Sequence, residues 1–228
     1  MRSSVVFILA TAAAAAGRPA TIVSILSDDH GYFDLSSRGN VNVTTPNMDQ
    51  LFTRGIDLSH HYSFKYCSPS RRSFVTGRWP MHLGELNQLA DGIDLRFATL
   101  GDKLRAVGWR NVLVGKTHWG TETPAHLPIN RGWDEHVGYL GGGEAYSSGH
   151  ECTTGDGTTN CETFKNEIDM WHDHGPAEPE YIGRYSTDLF TELAVNAIAQ
   201  HGDNDKSPTH RICAFKHLRH CDKSHACN

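Results

Sequence analysis

Residues 99–114 read TLGDKLRAVGWRNVLV, and this stretch decides the fold class of the chain. Thr99 is a good helix cap, apolar residues follow it at helical spacing, and Gly108 supplies a stop signal. The apolar run at residues 112–114 then predicts a buried strand. A helix that leads directly into a buried strand indicates an α/β architecture.

An earlier stretch, residues 21–31, reads TIVSILSDDHG. Its first six residues are rich in β-branched side chains and predict a buried strand, while the polar residues after them predict a loop. Ligands of open α/β sheets collect where the strands end. Asp28 and Asp29 are therefore candidates for a functional site.

Residues 67–78 read CSPSRRSFVTGR and predict a helix that starts just after Cys67 and ends at Gly77. Ser68 and Ser70 supply hydroxyls that could cap its first turn, which also contains a proline. Cys67 would then lie at the positive end of the helix, where the macrodipole and the backbone N–H groups favour negative charge.

Two arginines in the same stretch add permanent positive charge. Arg71 and Arg78 carry guanidinium groups, whose paired donors suit bidentate contact with a tetrahedral oxyanion. The stretch therefore predicts an anion-binding site beside a reactive cysteine.

Other segments show weaker patterns. We predict a short helix over residues 46–55 and an amphipathic helix over residues 181–201. Residues 120–180 are rich in Gly, Pro, Thr and His and lack periodicity, so we predict long surface loops around the mouth of a site.

The composition of the 228 residues allows one globular core, since 38% of them are hydrophobic. The net charge of -5 is spread along the chain, with no basic block. Nucleic acid and anionic membrane surfaces are therefore not expected as partners. An anionic substrate must instead meet a local cluster of cations.

The first residues are typical of a signal peptide, predicted at residues 1–17: Arg2 is followed by an apolar stretch and small residues suited to cleavage. The alternative is an N-terminal helix that the mature domain retains.

Export agrees with six cysteines and with the glycosylation sequon at Asn42. Cys152 and Cys161 enclose a loop of the kind that a disulfide closes. No membrane span is expected once the signal is removed.

Residues 203–228 differ in character, because cysteines and histidines crowd together there without apolar residues to form a core. We interpret this segment as an atypical tail, from a truncated or misread coding region. The alternative is a small zinc site, since thiolates and imidazoles are the preferred ligands of zinc.

Three motifs together resemble the sulfatase family. Residues 67–71 and 76–78 match its Cys-x-Pro-Ser-Arg signature with the Thr-Gly-Arg extension, residues 28–31 resemble its first metal-binding motif, and residues 115–120 match its Gly-Lys-x-His segment. Their order and spacing match as well, and the resemblance covers roughly residues 20–201. Softer matches at residues 138–140, 152–161 and 185–190 are similar to arylsulfatases of the N-acetylgalactosamine 4-sulfatase type.

The resemblance implies an alkaline-phosphatase-like fold: a mixed, mainly parallel sheet flanked by helices. Residues 18–202 would supply the incomplete N-terminal catalytic region. It implies that Cys67 is oxidised to formylglycine by the formylglycine-generating enzyme during secretion. The hydrated aldehyde attacks the sulfur of a sulfate ester with one hydroxyl, and the second hydroxyl later expels sulfate.

Roles for further residues follow from the same resemblance. Asp28 and Asp29 would hold Ca²⁺ together with the modified Cys67, and Arg71 would hold the formylglycine and support the ion. Lys116 would bind a sulfate oxygen, and His118 would hydrogen-bond the diol or assist its deprotonation. The substrate would be a sulfated carbohydrate or an aryl sulfate, and the location lysosomal or extracellular.

The chain departs from the family in ways that leave alternatives open. The Asp-Asn pair that completes the family's metal site, and a further catalytic His and Lys, lie downstream of the matched motifs. His220 is one candidate for that histidine. The rival functions are hydrolysis of phosphate or phosphonate esters by the same superfamily, and a truncated fragment without catalytic activity.

Overall fold

The computed structural model describes residues 21–83, 92–146 and 168–200 with their side chains, and the backbone of residues 6–11 and 209–214. Within these ranges, the chain forms one mixed sheet with helices packed against it.

Seven strands build the sheet in the order β1-β2-β7-β3-β4-β5-β6. Their bounds are β1 Val6–Thr11, β2 Thr21–Leu26, β3 Arg110–Gly115, β4 Glu135–Tyr139, β5 Met170–His172, β6 Gly175–Pro176 and β7 Thr209–Ala214. The four adjacent strands β2, β7, β3 and β4 are parallel, whereas β1, β5 and β6 pair antiparallel at the two sides. The predicted α/β class with a mixed sheet around a parallel centre is confirmed.

Four α-helices connect or flank these strands in the described residues: α1 Pro46–Arg54, α2 Cys67–Thr76, α3 Leu100–Arg105 and α4 Ser186–Ala199. Thr99 caps α3 through a reciprocal capping box with Asp102, and Gly77 ends α2 in the left-handed conformation that glycine adopts most readily. These helices confirm the predictions, although α4 begins five residues later than expected because a 3-10 turn at Pro179–Tyr181 precedes it.

The hydrophobic core lies on both faces of β3. Val112 and Val114 pack with Tyr139 and with Leu189 and Phe190 of α4 on one face. On the other face, the intervening residue, Leu113, packs with Val75 of α2 and with Trp119 and Trp133. Alternate residues of a strand point to opposite faces, so a continuous apolar run such as residues 112–114 is required when helices cover both.

The described parts of residues 120–180, namely 120–146 and 168–180, are not simply the surface loops that the sequence suggested. They contain β4 in the parallel part of the sheet, and the side chains of Trp133 and Tyr139 are fully buried. The polar His136 occupies a buried strand position, which hides the apolar pattern of β4. At Gly138 a Cβ atom would lie 2.0 Å from the carbonyl oxygen of Gly115, so the close approach of β3 and β4 requires glycine.

Six residues of the expected tail belong to the sheet. The strand β7 lies between β2 and β3, in register with Thr21–Leu26 on one side and Arg110–Gly115 on the other. The polar residues of this strand concealed it at the level of sequence. The remaining residues 215–228, with His220 and the zinc alternative, lie outside the described residues, as does the proposed disulfide between Cys152 and Cys161.

At the other end of the chain, β1 falls within the segment predicted as a signal peptide and pairs antiparallel with β2. The alternative to a signal peptide was an N-terminal helix that the mature domain keeps, but the structure has a strand at these residues. The signal peptide itself stays a prediction. In the described part of the chain, none of the helices combines the length and the apolar character needed to cross a membrane.

Candidate active site

Parallel strands bring the candidate residues to one edge of the sheet. Leu26 and Gly115, the last residues of β2 and β3, both align with Ala214 of β7, so both strands end at the same level. Lys116 follows β3 directly, and Asp28 lies two residues after the end of β2. The Nζ atom of Lys116 lies 2.7 Å from Oδ2 of Asp28, and both side chains are almost completely buried.

Arg71 joins this ion pair from the helix α2. Its Nη2 atom lies 3.4 Å from Oδ1 of Asp28, and its Nη1 atom donates a hydrogen bond of 2.9 Å to the backbone carbonyl of Lys116. The carboxylate of Asp28 therefore faces one cation on each oxygen. Cys67 lies four residues before Arg71, one turn away on the same face of α2.

The two cations determine the charge state of Asp28. Burial alone would raise the pKa of this carboxyl group, but the ammonium of Lys116 and the guanidinium of Arg71 hold the pKa well below its usual range. Asp28 is consequently ionised at any physiological pH.

His118 lies next to the same charges. Burial, and after it the positive charges of Lys116 and Arg71, lower the pKa of His118 well below its ordinary value, so the imidazole is neutral at physiological pH. Its Nδ1 atom is buried and makes no hydrogen bond within the described residues. The ring therefore has a nitrogen available for a ligand.

Two residues of the site have a backbone conformation that is uncommon for residues other than glycine. Asp29 has φ of 54° and His118 has φ of 53°, in the left-handed region. Such residues cost on the order of 1–3 kcal/mol each and persist only where the surrounding structure enforces them. Nothing in the amino-acid sequence indicated this strain. The left-handed conformation of His118 also shows that residues 116–118 do not form a regular extended segment.

Cys67 occupies the first turn of α2, where it is a partly buried free thiol. Its capping differs from the prediction. Tyr66 is the N-cap residue and provides no side-chain cap, while the hydroxyl of Ser70 donates to the carbonyl of Tyr66 at 2.7 Å. The first-turn N–H groups therefore have no side-chain cap, as a helix start that receives an anion requires.

Arg78 does not join the cluster, contrary to the sequence-based hypothesis. It follows the C-terminal end of α2, about 15 Å along the helix from Cys67. Its guanidinium lies 4.2 Å from the centre of the Phe97 ring and packs against that ring. Its role is therefore to hold the end of α2 against the following loop.

A backbone group that the sequence did not reveal completes the environment of Lys116. The ammonium donates a second hydrogen bond, of 2.7 Å, to the carbonyl of Gly142. This carbonyl comes from the loop after β4, which belongs to the stretch that was expected to be a surface loop. Only the glycine-rich sequence of residues 141–143 hinted at a close backbone approach.

The aspartates fit a hard cation only in part. Asp28 is buried and Asp29 is exposed beside it, so carboxylate oxygens, which Ca²⁺ prefers, are present at the strand end. Within the described ranges, no group of three or more His, Cys, Asp or Glu side chains could hold a metal. Ca²⁺ takes roughly six to eight oxygen ligands, so these residues supply one side of such a site.

Comparisons with known proteins agree with this geometry. A family model described as Sulfatase matches residues 20–209. Arylsulfatase J of Mus musculus is 30% identical over 186 residues, which cover 79% of this chain and 29% of that protein. The structure of Ps i-CgsB in complex with k-i-k-neocarrahexaose superposes with a TM-score of 0.68 at 26% identity, over 89% of this chain and 46% of that chain. The PsFucS1 sulfatase from Pseudoalteromonas sp. shares the fold, with a TM-score of 0.68 at 23% identity over 87% and 44% of the two chains.

A mixed sheet that gathers carboxylate, ammonium and guanidinium groups where its parallel strands end defines an α/β protein of the alkaline-phosphatase-like class. The chain belongs to the sulfatase family, because the family model covers most of its length. It spans about a third of the length of its mouse relative and just under half of the matched crystal structures.

Proposed function

We propose that this chain contributes to hydrolysis of sulfate esters, with a formylglycine made from Cys67 as the nucleophile. The observation that carries the proposal is the cluster at the end of β2 and β3, where Lys116 and Arg71 flank Asp28. Arg71 belongs to the helix that Cys67 starts, so the cluster and the cysteine are parts of one unit.

Cys67 is suited to the modification and to its product. It is a free thiol at a helix start without a side-chain cap, where backbone N–H groups can hold an oxyanion. The hydrated aldehyde would supply the attacking oxygen, and a hydroxyl remaining on the same carbon would allow sulfate to leave. The formylglycine-generating enzyme of the secretory pathway is the partner that this proposal requires.

Three side chains would act on the sulfate group and on the nucleophile. Lys116 would bind a sulfate oxygen, because its ammonium is oriented by Asp28 and by the carbonyl of Gly142. Arg71 would hold the modified residue one turn before it on α2. His118 would take a proton from the diol, since its Nδ1 atom is free within the described residues.

Asp28 and Asp29, together with the oxygen of the modified Cys67, would hold Ca²⁺. When bound, the ion would lower the cost of bringing a sulfate oxyanion to the site. Asp28 is already ionised through its contacts with Lys116 and Arg71, so it needs no deprotonation to serve as a ligand. Asp29 is exposed beside it and has a left-handed backbone conformation.

The substrate that we propose is a sulfated carbohydrate or an aryl sulfate. The complex of Ps i-CgsB with an oligosaccharide supports a carbohydrate, and the name of the mouse relative supports an aryl sulfate. The secretory pathway, with a lysosomal or extracellular end point, is the location that the predicted signal peptide and the requirement for the modifying enzyme favour.

The proposal is tested by turnover of p-nitrophenyl sulfate and p-nitrophenyl phosphate with the secreted protein. We expect sulfate turnover that Cys67→Ala and Lys116→Ala abolish, whereas Lys103→Ala, which alters an exposed lysine of α3, leaves it unchanged. Turnover of the phosphate ester that survives Cys67→Ala would instead support the rival phosphohydrolase.

A mass measurement shows whether Cys67 has been modified, independently of any turnover. The peptide that contains Cys67 should carry the aldehyde after secretion, which has a lower mass than the thiol. Stabilisation by Ca²⁺ in thermal melting would show whether the ion binds. A thiol at residue 67 together with no response to Ca²⁺ would contradict the proposal and favour a fragment without catalytic activity.

A further inference from the structure

The loop after β4 holds two of the proposed catalytic residues at once. The carbonyl of Gly142 accepts the hydrogen bond from the ammonium of Lys116 at 2.7 Å, and the carbonyl of Leu140 accepts one from the backbone N–H of His118 at 3.1 Å. The hydroxyl of Thr117, between the two catalytic residues, also lies 3.2 Å from the Leu140 carbonyl. The position of this loop therefore fixes both the ammonium of Lys116 and the strained backbone of His118.

The loop cannot hold its own conformation through side chains. Residues 141–143 are three consecutive glycines, which have wide conformational freedom and no side chain to pack. A carbonyl on such a segment needs a restraint from elsewhere in the fold if it is to orient a buried ammonium.

Asp169 provides that restraint. Its Oδ1 atom accepts a hydrogen bond from the backbone N–H of Leu140 at 3.2 Å, and its Oδ2 atom accepts one from Gly141 at 2.8 Å. The next residue, Met170, begins β5 and pairs with Tyr139, the last residue of β4. The antiparallel pair thus delivers the carboxylate to the start of the glycine loop.

We propose that Asp169 is a positioning residue of the active site, acting through residues 140–142 on Lys116 and His118. The inference rests on the proposed function in so far as Lys116 and His118 act on the sulfate ester. The two hydrogen bonds to Asp169 set where the Gly142 carbonyl lies, and this carbonyl together with Asp28 sets the direction of the ammonium. Loss of the carboxylate would leave Lys116 with Asp28 alone and would release the backbone that holds His118.

The test measures how strongly Lys116 is shielded from an amine-acylating reagent, by mass spectrometry of the labelled peptide. In the unaltered protein we expect slow labelling, because the ammonium is buried between two acceptors. Asp169→Asn keeps the shape but places an N–H₂ group against a backbone donor, so one of the two hydrogen bonds is lost. We expect labelling of Lys116 to become about tenfold faster, the change that loss of one charge-assisted hydrogen bond produces.

Asp173→Asn is the matched control. Asp173 lies at the other end of β5, where its carboxylate accepts a hydrogen bond from the backbone N–H of His136 at 2.8 Å, and in the described residues it makes no hydrogen bond to the glycine loop. We expect this variant to label Lys116 at the rate of the unaltered protein. If both variants increased the labelling rate of Lys116 equally, the cause would be general loosening of the structure around β5, and the proposal would be overturned.

A second measurement does not depend on any variant folding. The amides of Leu140 and Gly141 should exchange slowly with deuterium in the unaltered protein, since both donate to Asp169. Free exchange at these two amides, or unchanged labelling of Lys116 in a folded Asp169→Asn protein, would overturn the positioning role. Absence of sulfate turnover in a chain that still shields Lys116 would contradict the proposed function and leave the positioning role standing.

Discussion

The buried histidine of β4 makes the stability of this protein depend on pH. His136 is fully buried, and its burial lowers its pKa from the usual 6.5 to about 3. Between these two values the unfolded chain binds a proton on this imidazole and the folded chain does not. Stability contributed by the neutral imidazole is therefore complete above pH 6.5 and is lost progressively as the pH falls towards 3.

The size of the effect follows from the two pKa values. At pH 5 the unfolded state gains about 2 kcal/mol from protonation of this one residue, and at pH 7 it gains almost nothing. In urea unfolding, we expect His136→Gln to reduce the loss of stability between pH 7 and pH 5 by about 2 kcal/mol, because the amide does not titrate.

An exposed histidine supplies the comparison. His61 is exposed, and His61→Gln is the matched control for the loss of one histidine by the same substitution. The reasoning is refuted if His136→Gln folds and keeps the same loss of stability between pH 7 and pH 5 as the unaltered protein.

Three further substitutions test the packing around the site, each by urea unfolding against the unaltered protein. Trp133→Ala removes a fully buried side chain from the core cluster of α2 and β3, and we expect a loss of about 3–5 kcal/mol; a loss below 1 kcal/mol would contradict the assigned burial. Thr99→Ala breaks the capping box of α3 and should cost about 1 kcal/mol, with no cost if the box does not form. Gly138→Ala places a methyl group against the backbone of Gly115, and we expect a loss of roughly 3 kcal/mol or more; an alanine accommodated at no cost would show that β3 and β4 are farther apart.

Much of the fold was predictable where local signals and tertiary packing agree. Thr99 does cap α3, Gly77 does end α2, and the runs at residues 21–26 and 112–114 are strands. In each case a residue with one strong conformational preference stands beside an apolar run of the right length. The placement of Asp28 at the end of a strand followed from the same patterns, since it lies just after the predicted strand at residues 21–26.

The two strands that were not predicted, β4 and β7, were missed for a common physical reason. The strand β4 contains the buried His136 and a glycine needed for close strand approach, so its sequence shows neither alternation nor an apolar run. The strand β7 is similarly polar at several positions. Both strands are specified by their neighbours, because pairing on two sides can hold a segment whose own preference is weak.

The prediction of the site was also incomplete where contacts depend on the tertiary fold. The resemblance to the sulfatase family brought Asp28, Arg71 and Lys116 into one hypothesis, but it did not reveal that the carbonyl of Gly142 holds the ammonium of Lys116. That contact depends on where a loop returns after β4. It also could not exclude Arg78, whose displacement from the cluster follows from the length of α2.

The charged cluster at the sheet edge lowers the free energy of unfolding relative to an apolar cluster. This loss of stability favours a chemical role for the cluster over a structural one. Burying the carboxylate of Asp28 with two cations gains little stability over apolar side chains of the same volume, because desolvation offsets most of the attraction. Asp29 and His118 add backbone strain at the same place. A fold that needed only stability would fill this edge with apolar residues, as it does around Trp133. Buried charges and backbone strain are concentrated where the strands end, and Cys67 lies one turn from Arg71 of this cluster. Such an arrangement is expected where a protein orients charged groups before a polar reaction takes place.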